Sequence, residues 1–283
     1  MQIRIPEKGP VRDHRSSFYM RQHRANLATL TRDQTNTDRG VEGLVVLDKP
    51  LELTSARALD RVRTVTRQRK SGHAGTLDPL ATGVLLICLG RATKLVEKIM
   101  DQPKVYRTTV RLDQTSDSFD LECETRAVEV LRPPMLDEVR NALSRFEGWT
   151  AQVPPNTSAV KIKGVPAYRR HARGQTIQLT PRPARIDWIH VHRYEWPELD
   201  IEIGCGRGVY VRSLVRDLGL ALGVGGCLTA LRRVRIGPFS LENAHTVEQL
   251  RSAESVEQYL IPLDVARTMV ETVVSIPRPN VVD

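Results

Sequence analysis

The sequence predicts a mixed α+β domain built on a large, mostly antiparallel sheet flanked by helices. Three observations predict it: apolar runs of strand length at residues 44–47, 105–112, 186–194 and 199–205, helical spacing of apolar residues at 59–65, 136–146 and 211–222, and the mixed order of the two. Residues 1–40 come first, with eight Lys/Arg against four acids and no sustained apolar period, the composition of a mobile basic arm. Residues 44–47 give a strand. Thr54 or Ser55 can cap a helix whose apolar positions Leu59, Val62 and Val65 recur every three residues. Residues 84–89 (VLLICL) form a short apolar run of strand or buried-helix type. Alternation across 105–112 puts Tyr106 on one face of a strand. Leu136, Val139 and Leu143 line one side of a helix, and 186–194 and 199–205 follow as strands. Val211, Leu214, Val215, Leu218 and Leu222 keep the spacing of an amphipathic helix, with Gly219 and Gly223 as its breakers.

A chain of 283 residues buries a real core, as one large domain or two modest ones. Its 42 Lys+Arg against 33 Asp+Glu leave a net charge of +9, which points to a polyanionic partner. Residues 151–185 carry seven Lys/Arg (Lys161, Lys163, Arg169, Arg170, Arg173, Arg182, Arg185) and no acid, the pattern of a phosphate-contacting surface. Arg232, Arg233 and Arg235 read the same way. Cys88, Cys123, Cys205 and Cys227 include no CxxC pair and no histidine at ligand spacing, so neither a zinc site nor a disulfide framework is expected, and Cys88 reads as buried. No segment reaches the roughly 18 apolar residues of a membrane span, and the N-terminus lacks a signal-type hydrophobic core. The expectation is a soluble cytoplasmic protein, since Glu7, Asp13, Asp33 and Asp38 interrupt any transit-peptide pattern.

The run GHAGTLDPLATGVL, residues 72–85, holds a single acid, Asp78. Gly72, Gly75 and Gly83 permit backbone conformations and close approaches that a β-carbon forbids, and Pro79 stiffens the turn. The apolar run behind it supplies a rigid core element. A lone carboxylate on such a turn is a catalytic group held still; an ordinary Asx turn is the plainer alternative.

The wider block HAGTLDPLATGVLLICLGRATK resembles the central motif of the TruB family of tRNA pseudouridine synthases. So do GLVVLDKPLELTS (43–55), KVYRTTVRL (104–112), FEGWTAQVPPNTSAVKIKGVPAYRRHARG (146–174), GRGVYVRSLVRDLG (206–219) and LTALRRVRIGPF (228–239). Six ordered blocks across about residues 42–250 exclude coincidence. The resemblance implies the pseudouridine synthase fold, with an active cleft across the middle of the sheet. It implies isomerisation of uridine 55 in the T-arm of tRNA, and the protein is expected to act as a monomer with tRNA as its partner.

That reaction breaks the C1′–N1 bond of a uridine, turns the uracil and rejoins it through C5. No oxidation or imported group is involved, so no cofactor or metal is expected. The chemistry needs a carboxylate and a pocket that retains the freed base. By resemblance Asp78 is the carboxylate and Arg212 its paired guanidinium, which favours the charged form and orients it. Tyr106 matches the tyrosine that stacks on the uracil, with a hydroxyl able to relay the C5 proton. Tyr210 forms the opposite rim and Leu231 an apolar wall. His73 fills the space left in the RNA when the uridine flips out. Lys49, in the Lys-Pro motif, either contacts phosphate or supports the cleft.

The family usually has a TDTxDxxG loop after the tyrosine strand; here Asp117 and Asp120 remain, while Asp113 and Cys123 replace glycines and leave the loop's conformation open. The domains expected are a basic extension at 1–40, a catalytic domain at 41–250 and a short tail at 251–283, too small for the C-terminal RNA-binding barrel of PUA type that many members carry. Three alternatives differ in class: a glycosidase, which generally wants two carboxylates across the bond; a non-catalytic RNA-binding or tRNA-folding protein; and a synthase acting on another structured RNA.

Overall fold

The computed structural model describes residues 40–158, 160–162, 164–171, 173–175 and 177–272. The expected arm, apart from Gly40, lies outside the described residues, as do Lys163 and residues 273–283. The unit that holds the described elements begins at Val41.

Its strands are Gly43–Lys49 (β1), Ser71–Ala74 (β2), Ala81–Leu89 (β3), Lys104–Arg111 (β4), Gln114–Ser116 (β5), Thr125–Ala127 (β6), Gly148–Gln152 (β7), Lys161–Ile162 (β8), Val165–Pro166 (β9), Arg182–Glu195 (β10), Glu198–Cys205 (β11), Cys227–Ile236 (β12), Phe239–Ser240 (β13) and Leu260–Pro262 (β14). The helices are Ser55–Thr66 (α1), Val96–Asp101 (α2), Leu136–Ser144 (α3), Ala167–His171 (α4), Val211–Leu222 (α5), Val247–Ser252 (α6) and Leu263–Glu271 (α7). Ten strands make one sheet in the order β14-β1-β3-β12-β4-β11-β10-β7, with β13 beside β12 and β2 beside β3. Among its pairings only β3 with β12 is parallel.

Side-chain alternation decides what each face holds. On one face Ile186, Ile201 and Ile203 pack under α3 and α5, through Val139, Leu143, Leu214 and Leu218. The same face continues to α1 and α6, where Leu85 and Ile87 meet Ala58, Val62 and Leu250. The opposite face packs Leu44, Val46, Leu86 and Cys88 against Ile99 of α2 and Ala266 and Val270 of α7. Residues after 250, expected as a tail outside the catalytic domain, continue that domain: β14 pairs with β1, and α7 caps the second core. Of their apolar residues, Ala266 and Val270 are buried in the second core and Tyr259 in the core under α1.

Thr54, not Ser55, is the α1 cap, its hydroxyl accepting from the Arg57 amide at 3.1 Å. The 84–89 run is the buried C-terminal part of β3. Gly223 ends α5 at φ 67°, as expected. Gly219 does not break that helix. It lies within it, where a β-carbon would come 2.5 Å from the Gly225 carbonyl oxygen, so its role is close packing.

β3 forks the sheet. Along one edge its residues 81–83 pair with β12, and its residues 86–89 pair with β2 instead. The chain between β2 and β3, residues 75–80, crosses this fork and carries Asp78.

Candidate active site

The Asp78 turn is clamped from below. Lys49 ends β1 fully buried, and its Nζ donates to the carbonyls of Leu53 (2.6 Å), Pro50 (2.9 Å) and Pro79 (3.3 Å). Burial lowers its pKa to about 8, against the pull of the Asp78 charge. These bonds tie Lys49 to the backbone on both sides of the turn. Ser55 adds a reciprocal pair: its hydroxyl donates to the Leu77 carbonyl at 2.8 Å and accepts from the Leu77 amide at 2.9 Å. Gly83 has φ 99°, and a β-carbon there would lie 2.2 Å from the Arg233 carbonyl oxygen, so only glycine lets β12 approach. Gly75 has φ 85°, whereas Gly72 has open space and no such φ, so the turn does not require glycine at 72.

Arg212, in the first turn of α5, is 3% exposed and reaches Asp78 with Nη2–Oδ2 at 2.9 Å. Its other terminal nitrogen meets Asp120 Oδ2 at 3.5 Å, donates to the Ser118 carbonyl at 3.3 Å and to the Thr157 hydroxyl. Asp78 is therefore not the lone acid of the site. Asp120 belongs to the loop whose altered glycines left its shape open. That loop needs no glycine at 113 or 123; the residue with positive φ is Phe119, at 60°. Burial raises the Asp78 pKa, Arg212 draws it back, Asp120 pushes it up again and Lys49 opposes that. Glu122 is raised as well, by burial first and then by Asp120 and Asp78. The carboxylates crowd one guanidinium.

Asp78, Leu80, Ala81, Asp120, Arg212, Leu228, Thr229, Ala230 and Leu231 line a cleft over the middle of the sheet. Leu231 forms part of its wall. Tyr106, on β4, lies outside that lining; burial raises its phenol pKa and the Arg233 charge opposes the rise. Tyr210 stands at the start of α5, its amide donating to Gln152 Oε1 at 2.8 Å, and its hydroxyl feels Arg182, Asp78 and Arg212. His73, on β2 opposite Ile87, is half-buried; burial and then the Arg233 charge lower its pKa, and its buried Nδ1 has no hydrogen-bond partner.

Arg233 was expected on a phosphate-contacting surface and is 1% exposed. Its Nε donates to the Val84 carbonyl at 2.8 Å and its Nη2 to the Gly75 carbonyl at 2.9 Å, filling the fork where β3 exchanges one neighbour for another. Arg232 pairs with Asp48 at 2.7 Å on the other face. The basic run is therefore no outward surface, because strand alternation turns its side chains to opposite faces and buries one of them. Nothing local linked Asp120 to Arg212.

The four cysteines are free, and burial pushes the Cys88 thiol up to about 12. Among the described residues no helix is long and apolar enough to cross a membrane.

This fold is that of the pseudouridylate synthases. The family model described as TruB family pseudouridylate synthase (N-terminal domain) matches residues 63–211, and that of the tRNA pseudouridylate synthase B C-terminal domain matches 212–267. The chain belongs to the TruB family. Relatives named tRNA pseudouridine synthase B include that of Dinoroseobacter shibae, 44% identical over 230 residues covering 80% of this chain and 75% of the relative. That of Mycobacterium tuberculosis is 42% identical over 212 residues, covering 74% and 71%. Among solved structures, a chain of a Cbf5–Nop10–Gar1 complex superposes with a TM-score of 0.62 at 27% identity, covering 86% of this chain and 72% of that one. A chain of the archaeal box H/ACA sRNP Nop10–Cbf5 complex gives 0.59 at 26% identity, and this protein covers 80% of its own length but only 61% of that chain. The join between the two family models falls inside one sheet, since β12 from the second lies between β3 and β4 from the first.

Proposed function

We propose that this protein isomerises uridine 55 in the T-arm of tRNA to pseudouridine, with Asp78 as the essential carboxylate acting on a flipped-out base. The observation that carries the reading is the buried Arg212 guanidinium on Asp78 at 2.9 Å, at the floor of a cleft walled by Leu231. The relatives named tRNA pseudouridine synthase B support the substrate.

Asp78 serves either as a nucleophile on the ribose or base, or as the acceptor of a ribose proton; both uses need an ionised carboxylate fixed beside C1′. Burial alone would favour its neutral form, so the Arg212 charge keeps it available. Once the C1′–N1 bond breaks, Leu231 and the tyrosines retain the uracil while it turns. The new C1′–C5 bond then leaves a surplus proton on C5, and N1 gains one, so the reaction is balanced without a co-reactant. Tyr106 stacks on the base. Its raised pKa keeps the phenol neutral near pH 7, which suits it to pass a proton on rather than to stand as a base. Tyr210 closes the opposite rim. His73, whose Nδ1 lacks a partner, occupies the place the uridine leaves in the RNA. The protein acts as a cytoplasmic monomer.

Asp120 next to Asp78 is the one feature favouring glycoside hydrolysis. Against hydrolysis stands the match to the TruB family pseudouridylate synthase model. Incubation of tRNA with the enzyme tests the choice: proton release from C5 with the base still attached supports isomerisation, and free uracil refutes it.

A further inference from the structure

We propose that the outward basic face of α1 and the turn after it, formed by Arg57, Arg61, Arg67, Arg69 and Lys70, binds the phosphate backbone of the substrate RNA beyond the cleft; this rests on the tRNA reading above. Residues 55–70 contain six cations and one acid, and that acid, Asp60, is taken by Arg63 at 2.9 Å. The other five cations are exposed, and none has an ion pair among the described residues. Several exposed arginines elsewhere are paired, Arg91 with Glu42, Arg132 with Glu138, Arg193 with three acids and Arg207 with Glu97 and Asp101, whereas Arg145, Arg182, Arg251 and Arg267, like the α1 row, have no ion pair among the described residues but are not gathered on one element face.

The arrangement also works against the helix. Its first turn holds no acid but does hold Arg57, against the helix dipole, and Arg57 and Arg61 stand at the i,i+4 spacing where like charges repel. Such local conflicts mark sites kept for a ligand, and a polyanion relieves both.

Position ties this face to the cleft. Ser55 bonds the Leu77 backbone one residue before Asp78, and Arg63 Nε holds Ser71 Oγ of the His73 strand at 2.7 Å. The twelve residues of α1 extend about 18 Å from there, at about 1.5 Å per residue. The turn is fixed in its own right by Gln68 Nε2 on the Val41 carbonyl at 2.9 Å and by the Gly90 amide on the Lys70 carbonyl at 2.7 Å. RNA whose uridine lies at Asp78 has its flanking backbone within reach of this rigid row.

The test combines Arg61→Gln, Arg67→Gln, Arg69→Gln and Lys70→Gln in the full chain; all four positions are exposed, so folding is spared. Binding of tRNA is measured across a salt series, with KM and kcat for pseudouridine formation. The slope of log affinity against log salt should become shallower by about 0.7–0.9 for each phosphate no longer neutralised, with at least about a tenfold rise in KM at low salt and unchanged kcat. Replacing the three arginines by lysine should keep the wild-type slope. An unchanged slope and KM in the glutamine variant would overturn the proposal and leave the face to an acidic protein partner. A lowered kcat at the wild-type slope would overturn it equally, by showing a structural role. Wild-type protein that forms no pseudouridine in tRNA would sink the functional reading instead, a result distinct from either.

Discussion

On β12 the guanidinium groups are satisfied by the protein itself; on α1 they are left to something outside it. Arg233 sits at the sheet fork on two backbone carbonyls, and Arg232 holds Asp48. The α1 row, as basic in composition, has no acid within its face except the one Arg63 consumes. The difference lies in what surrounds each side chain rather than in charge density. A buried guanidinium must have its donors met, and the orphan carbonyls of a fork meet them. An exposed one is solvated and stays free for phosphate. Arginine runs therefore mark an RNA surface only after the strands have removed their share.

Removing a buried charge partner should have the largest effects. Asp78→Asn should cost at least about a thousandfold in turnover, roughly 4 kcal/mol of barrier, with tRNA affinity retained; single-turnover assays and a binding titration check this. Arg212→Met should be comparably severe and should move the acid limb of the pH–rate profile upward, because Asp78 loses the charge that opposes burial. An unmoved limb would mean that the ion pair does not tune the carboxylate.

Arg233→Met leaves the Gly75 and Val84 carbonyls unpaired and should lower stability by about 2–4 kcal/mol in urea unfolding. An unchanged midpoint would show that water replaces the guanidinium, and the contrast with α1 would collapse. Tyr106→Phe keeps the ring, so affinity should hold while the rate falls strongly; full activity would assign Tyr106 to stacking alone.

Asp78→Asn carries a smaller, opposite signature in stability. Burial raises the folded-state pKa of Asp78, so the folded protein binds its proton more tightly than the unfolded chain does. Ionised Asp78 thus weakens the fold at neutral pH, and that loss is recovered as pH falls through the raised pKa. The variant's thermal midpoint at pH 7 should equal or exceed the wild-type value, with the gap closing in acid. The smallest effect is expected for Arg232→Gln, since its pair with Asp48 is partly exposed; about 1 kcal/mol or less should be lost.

Much of this was legible from local pattern. Alternation at 105–112 located β4 and Tyr106, and the spacing of Val211 to Leu222 gave α5 its length. The block around Asp78 marked the turn. Asp120 was visible as a residue but not as a neighbour of Asp78, because 92 positions separate it from Arg212 and only the packing of its loop against α5 joins them. The residues after 250 looked like a tail because a three-residue strand such as β14 has no periodicity of its own.

By itself the sequence determined several of the strands and helices, the turn that presents Asp78 and the family. These depend on residues near one another along the chain, where side-chain period and glycine or proline geometry act directly. Only the tertiary structure decided which carboxylates share Arg212, that Lys49 bonds the backbone on both sides of the turn, and which arginines are buried. Those outcomes depend on pairing between distant strands: the β3 fork and the β4–β12 register bring Gly75, Val84, Tyr106 and Arg233 together, and no local signal encodes that register.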